Sequence, residues 1–276
     1  MPKDRSQPKL SSNWDPSCIA IKLTGGTGNQ LFGFFTAYAI AKSHGYRVIV
    51  DLSNYSHFNL RAFSLNQFLN NEFKLGSSSG YLHVQENSFN FSEEILSTQG
   101  GCVLNGYFQS YKYFQIYRNE IIEFFERSVP LQPSSINQER LVLHLRRGDY
   151  TKKRNVKFHG LCSFDYYIES VTHLRQVLGF LPVEIFSDDI DCAEQLRKQI
   201  ENSFVTPKGT SFTDLEIIRY MSTGKGYILS NSTFGWWASW LNPKNDIPTV
   251  SPDPWFTNKK INTLDLIPKH WIKLSR

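Results

Sequence analysis

Short apolar runs alternate with amphipathic stretches along this chain, starting at Cys18. Cys18 to Leu23 (CIAIKL) predicts a buried strand, Thr24 to Gly28 a glycine-rich turn, and a helix begins near Asn29. On that helix Leu31, Phe34, Phe35 and Tyr38 fall at i, i+3, i+4 and i+7, the spacing of one apolar stripe. A strand over Tyr46 to Asp51 completes a β-α-β unit. Tyr55 to Gln99 is rich in Asn, Ser and Phe without clear period, which predicts irregular structure with short helices and a flexible loop at Gly76 to Gly80. A strand at Cys102 to Asn105 then leads through the aromatic run Gly106 to Phe114 into a helix ending near Arg127.

The second half alternates more cleanly. A strand opens at Leu141, and the cationic stretch Thr151 to Lys157 follows it. The pattern then predicts a helix over Ser163 to Leu178, a strand over Val183 to Phe186 and a helix over Cys192 to Ile200. A short strand near Phe204, a helix over Asp214 to Ser222, a strand over Tyr227 to Leu229 and a helix from Phe234 complete it. Such alternation implies a largely parallel sheet with helices on both faces. The Pro-bounded segment Ser128 to Ser135 reads as a linker. The expected organisation is a polar, disordered leader over 1–17, an N-terminal lobe over 18–135, a second lobe over 136–258, and a tail over 259–276 that returns to the first lobe.

Composition changes this picture little. The 276 residues are 40% hydrophobic, enough to fill a core. Lys and Arg number 30 against 25 Asp and Glu, a net charge of +5 that favours anionic ligands but lacks the dense basic stripe of a nucleic-acid binder. Cys18, Cys102, Cys162 and Cys192 form no CxxC, which fits a reducing compartment. The start has no apolar h-region, and no run of about 18 apolar residues occurs. A cytoplasmic protein is expected, with any membrane contact peripheral and on the inner face.

The candidate chemistry centres on Leu141 to Tyr150, LVLHLRRGDY. An apolar strand runs straight into His144, Arg146, Arg147 and Asp149, and Gly148 allows an abrupt turn. Adjacent arginines on an extended segment point to opposite faces, so one is expected to reach a ligand while the other is held by a carboxylate such as Asp149. Guanidinium grips phosphate at two points, and open α/β sheets bind ligands beyond the carboxyl ends of their strands. A plain structural salt bridge is the competing reading. Ser230 to Thr233 sits at a strand-to-helix junction where Ser232 is an N-cap, and helix-terminal amides there could hold a diphosphate.

Asp188 and Asp189 end another strand, suited to accept from guanine or ribose. Asp189-Ile190-Asp191 spells the DxD of metal-binding sugar transferases, but Asp191 reads as a helix cap and the base or ribose role is favoured. In Gly26-Thr27-Gly28-Asn29-Gln30-Leu31 the third glycine of a dinucleotide fingerprint is replaced by Leu31, which argues against a nicotinamide cofactor. No local motif supports a covalent hydrolase.

These residues resemble a known family. LVLHLRRGDY resembles the HxRRxD motif of α-1,2-fucosyltransferases, glycosyltransferase family eleven, and more distantly of α-1,6- and protein O-fucosyltransferases. LTGGTGNQLFGFFTAYAIAK, GYFQSYKYF and ILSNSTFGWWASWLN resemble three further blocks of that family, in the same order, across most of 18–243. The chain departs at Gly224-Lys225-Gly226, where the family often has Cys-Lys-His. It departs again at Gly235, where Phe-Gly-Trp-Trp replaces the commoner Phe-Ser-Trp-Trp.

The resemblance implies an α/β, GT-B-like fold of two Rossmann-like lobes with a nucleotide-sugar cleft between them. It implies an inverting transfer of L-fucose from GDP-fucose to the 2-hydroxyl of a galactoside, a galactose-terminated oligosaccharide or glycolipid, in surface glycan synthesis. No cofactor and no obligatory metal are expected. Carried over, Arg146 would contact the β-phosphate and stabilise the GDP leaving group, and His144 would position the nucleotide. Arg147 and Asp149 would brace the loop, and Asp188 or Asp189 would read guanine or ribose. Ser232, Thr233 and Phe234, with Asn231, would hold diphosphate and base. Asn29 and Gln30, beside Gly28, would reach from the first lobe toward the fucosyl group or the acceptor. No catalytic base is identified; Asp149 is a candidate and Asn29 an orienting group. The rivals are another GDP-fucose transferase, of α-1,6 or protein O-type, and a non-catalytic glycan-binding protein.

Overall fold

Every strand among the described residues pairs in parallel, so each connection between neighbours must cross over a sheet face. The computed structural model describes residues 14–55, 62–131, 139–206, 212–258 and 260–276. They form two compact units, Met1–Gln115 and Ile116–Arg276.

The first unit holds β1 (Cys18–Lys22), α1 (Thr27–His44), β2 (Arg47–Asp51), β3 (Phe73–Leu75), β4 (Leu82–Gln85), α2 (Glu93–Leu96) and β5 (Cys102–Asn105). Its sheet runs in the order β3-β2-β1-β5-β4. The expected stripe on α1 proves too narrow: Phe32, Ala37 and Ala39 are buried along with Leu31, Phe34 and Phe35. A helix apolar on nearly all sides belongs inside, and here Phe34 packs on Phe68 at 5.4 Å and on Phe73 at 5.1 Å between ring centroids. Gly45, in the left-handed region at φ 71°, ends it. The segment expected to be irregular contributes two edge strands, β3 and β4.

The second unit holds α3 (Arg118–Ser128), β6 (Leu141–Leu145), α4 (Lys153–His159), α5 (Phe164–Leu178), β7 (Val183–Ser187) and α6 (Ile190–Arg197). It continues with β8 (Ser203–Val205), α7 (Asp214–Met221), β9 (Gly226–Ile228), α8 (Thr233–Trp240), β10 (Thr249–Asp253) and β11 (Ile272–Ser275). The sheet order is β11-β10-β9-β6-β7-β8. Counted from its own first strand, β6, this is the doubly wound 3-2-1-4-5-6 order, whose crevice opens where the winding reverses, at β6 and β9. All five residues of β6 are buried, as a central parallel strand requires. Leu141, Leu143 and Leu145 share a core with Tyr167, Val171 and Leu174 of α5. At the other end of β6 the fully buried Arg140 is ion-paired to Glu184 of β7, and its guanidinium lies 4.5 Å from the Tyr220 ring centroid.

Two Rossmann-like α/β lobes are therefore present, as the motif resemblance implies. The details differ in places. The described residues begin at Trp14, whose indole donates to the Gly101 carbonyl at 3.2 Å; residues 1–13 of the expected leader lie outside them. The division of the chain falls after Gln115, ahead of the Pro-bounded linker, and 132–135 of that linker lie outside the described residues. The tail has partners within the second unit: β11 extends that sheet beside β10, and Trp271 packs on Trp236 at 5.7 Å. Burial of Trp271 and a free sheet edge at β10 account for that docking.

Candidate active site

The chain leaves β6 and β9 side by side at the reversal point, bringing the His144 to Asp149 stretch next to Ser230 to Thr233. His144 is buried, and its Nδ1 lies 3.0 Å from the Ser230 hydroxyl. Its ring stacks on Phe234 at 5.6 Å with planes 22° apart. Burial, with the neighbouring positive charge of Arg146, lowers its pKa to about 3, so the imidazole is neutral in ordinary buffers. Gly235 lets it sit there: a Cβ at that position would stand 2.7 Å from His144 Nδ1.

Arg146 is the carboxylate-held arginine, contrary to the alternation argument. It pairs with Asp149 and, at 2.6 Å through Nη1, with Asp188. Its guanidinium also lies 5.2 Å from the Tyr150 ring centroid. Arg147 turns inward instead, donating through Nε to Cys192 Sγ at 3.3 Å and lying over Phe164 at 5.8 Å, so it braces the loop without Asp149. The alternation fails because β6 ends at Leu145, and the backbone then bends through Arg147 and through Gly148 at φ 25°. A side chain at Gly148 would collide with the Asp188 carboxylate. That carboxylate also accepts the Arg147 amide at 2.8 Å, which fixes the loop from two directions.

Asp189 caps α6, accepting the Cys192 amide at 3.0 Å, so the cap lies two positions before the expected Asp191. Ser232 caps α8 as expected, accepting the Phe234 amide at 3.4 Å. Thr233 and Phe234 open that helix half-buried, with its amide end beside His144. Asn231 has no spare donor for a ligand: its Nδ2 donates to the carbonyls of His159 at 2.7 Å and Trp255 at 3.1 Å. Its expected ligand role gives way to holding the loop. Tyr150, not singled out in the sequence, braces the same corner by stacking on His159 at 4.2 Å and donating to the Asn231 carbonyl at 3.3 Å.

In the first unit, Gly28 and Gln30 are buried in the opening turns of α1. Gln30 donates to the carbonyls of Gly25 at 3.2 Å and Ala62 at 2.8 Å, and accepts the Ser64 amide at 2.9 Å. Its side-chain amide thereby ties the Gly25 turn to the 62–64 loop. Asn29 is half-buried and accepts from Gln109 Nε2 at 2.9 Å. Gln109 lies in the GYFQS block, and its amide, with no role in the sequence reading, ties the ends of β1 and β5. Asp51, which ends β2 where a ribose-binding acid would stand, accepts instead from Ser53 and Ser78.

The second unit can thus present an oriented guanidinium, a neutral imidazole and a helix amino terminus at one strand-end crevice, the elements of a diphosphate site. No described helix is long and apolar enough to cross a membrane.

Comparison with known proteins agrees with this arrangement. The family model "Glycosyl transferase family 11" matches residues 49–274. An Escherichia coli α-1,2-colitosyltransferase is 26% identical over 94% of this chain and 100% of its own. The Escherichia coli O-antigen biosynthesis glycosyltransferase WbnK is 28% identical over 91% and 99%. A Caenorhabditis elegans galactoside 2-α-L-fucosyltransferase is 25% identical over 98% and 79%. Among solved structures, the Escherichia coli heptosyltransferase WaaC with ADP aligns over 94% of this chain and 93% of its own, at TM-score 0.52 and 10% identity. POFUT1 in complex with GDP aligns over 86% and 98%, at TM-score 0.50 and 11% identity. These likenesses are of fold, a GT-B-like one.

Proposed function

This chain belongs to glycosyl transferase family 11, and from that premise we propose that it moves L-fucose from GDP-fucose to the 2-hydroxyl of a galactoside during surface glycan synthesis, with inversion and without an obligatory metal. The observation that carries the reading is Arg146 fixed by Asp188 beside the amide end of α8, at the reversal point of the second sheet. The O-antigen and α-1,2-linkage activities in the names of its relatives support the acceptor class and the linkage.

In this account the diphosphate lies against the α8 amides and the Ser232 and Thr233 hydroxyls. Arg146 meets the charge that develops on the β-phosphate as the sugar–phosphate bond breaks, a contribution of several kcal/mol by analogy with other preorganised clamps. To do so it exchanges the Asp149 carboxylate, the more exposed of its two partners at 34% against 28%, for phosphate oxygens. His144, neutral, orients the nucleotide without adding charge. Work at the cytoplasmic face of a membrane follows from a lipid-linked acceptor.

Colitose as the transferred sugar is a second reading, favoured by the colitosyltransferase among the relatives. The test offers GDP-fucose and GDP-colitose to a panel of galactosides, with and without EDTA, and assigns the product linkage by NMR. A fucosyl-α-1,2-galactose product formed in EDTA is expected. Another linkage, or no transfer from either donor, contradicts the proposal.

A further inference from the structure

Arg276, which follows β11 directly, reaches the loop that carries Arg146 by way of the last turn of α4. That helix runs for only seven residues, Lys153–His159. A helix so short holds together poorly unaided, and the carbonyls of its last turn have no partner within it. Here they are met from outside, by the second unit's own chain. The Phe158 carbonyl accepts the Thr257 amide at 3.0 Å. The His159 carbonyl accepts two side chains, Asn231 Nδ2 at 2.7 Å and the Arg276 guanidinium through Nη1. Arg276 Nη2 donates in addition to Thr257 Oγ1 at 3.3 Å, so one planar fork ties His159 to the segment that follows β10.

The backbone at Gly160 is fitted to this guanidinium. Gly160 ends α4 at φ 69°, and a Cβ there would stand 2.6 Å from Arg276 Nη2 and 2.7 Å from Thr257 Oγ1. Glycine thus supplies both the positive φ and the room for the fork. Among the described residues Arg276 meets no carboxylate, and burial lowers its pKa. A cation kept half-buried at that cost, with a carbonyl and a hydroxyl as its acceptors, serves geometry more than charge.

What it holds stands one step from the crevice. His159 Nδ1 is buried without a hydrogen-bond partner among the described residues, so the ring is placed by its backbone anchors and by the faces packed on it. Tyr150 stacks on that ring at 4.2 Å with planes 12° apart. The Tyr150 ring in turn lies 5.2 Å from the Arg146 guanidinium. When Asp149 gives way to phosphate, Arg146 keeps Asp188 and the Tyr150 face, and that face is only as fixed as the His159 ring stacked on it. We propose that Arg276 is a positioning residue of the donor site: it anchors His159, His159 seats Tyr150, and Tyr150 orients the Arg146 guanidinium toward the β-phosphate. The inference deepens the donor-site reading above and rests on it. Arg276 itself is assigned no contact with nucleotide or sugar.

The experiment measures GDP affinity by calorimetry, kcat/KM for GDP-fucose with lactose as acceptor, and thermal unfolding. It compares wild type, Arg276→Ala, Tyr150→Ala and the double variant. Arg276→Ala is expected to weaken GDP binding about five- to tenfold, within the range of a partly desolvated cation–π contact. The loss in kcat/KM should be at least as large, because Arg146 acts most strongly in the transition state. In the Tyr150→Ala background the same substitution should change GDP affinity by less than about twofold. Wild-type GDP affinity in Arg276→Ala overturns the inference. An equal loss with and without Tyr150 marks an action by charge alone and also overturns it. So does a fall in unfolding temperature with no Tyr150-dependent loss of GDP binding, the mark of a merely structural role. If Arg276→Ala does not fold, Arg276→Lys decides in the same cycle, since an ammonium keeps the charge but cannot fork to both oxygens. A loss of about threefold that disappears with Tyr150→Ala supports the proposal, and unchanged affinity overturns it. A wild type that does not bind GDP removes the donor reading and this inference together.

Discussion

Gly235 and His144 are in such close contact that a Cβ on the glycine would lie 2.7 Å from the imidazole Nδ1 and 2.9 Å from its Cγ. The ring has no room to give way, because Ser230 holds Nδ1 at 3.0 Å and Phe234 stacks on its face. Gly235→Ser, which restores the residue commoner in the resembled motif, should therefore cost about 1–3 kcal/mol of stability and weaken GDP binding. Adding His144→Ala should recover part of that stability, so the double-mutant cycle measured by urea unfolding should be non-additive. Strict additivity would show that the two residues do not press on each other.

His144 also gives stability a pH dependence of definite sign. Its folded pKa of about 3 lies below the ordinary histidine value of about 6.5. Above the higher value both states are neutral there and nothing changes. Between the two, only the unfolded chain takes up the proton, so stability falls with falling pH by up to about 1.4 kcal/mol per unit from this group. His159 and His270 are lowered by burial and act in the same direction. His144→Gln should flatten, without abolishing, the decline in urea midpoint from pH 6.5 toward pH 4. An unchanged slope would rule out a buried neutral His144.

The Arg146 and Asp149 pair predicts competition. If Asp149 must be displaced before phosphate binds, Asp149→Asn should tighten GDP binding by about fivefold, the worth of a partly exposed ion pair. Calorimetry reads this directly, and weaker binding would mean that Asp149 supports the nucleotide site.

Arg140 and Glu184 form a buried pair far along β6 from the crevice. Arg140→Ala should destabilise by about 3–5 kcal/mol by stranding Glu184, whereas replacing both with apolar residues of similar volume should restore much of it. GDP affinity of the folded fraction should be unchanged.

The second lobe was legible because its central strands β6 and β7 are buried and amphipathic helices such as α5 follow at regular spacing. β3 and β4 were not: they are short edge strands with Leu75 50% and Leu82 60% exposed, so no apolar alternation marks them. His144, Arg146 and Asp188 were found as a set because strand ends place them, but their pairings were not. Which arginine meets a carboxylate depends on the bend at Gly148, and the roles of Gln30 and Asn231 depend on the carbonyls of Ala62, His159 and Trp255.

Hydrogen exchange with and without GDP tests most directly whether the nucleotide sits at the β6 and β9 reversal. Slowed exchange of the amides at 146–150 and 230–236 is predicted, and Arg146→Ala, still folded, should abolish it. Protection confined to 15–115, or none anywhere, would contradict the account.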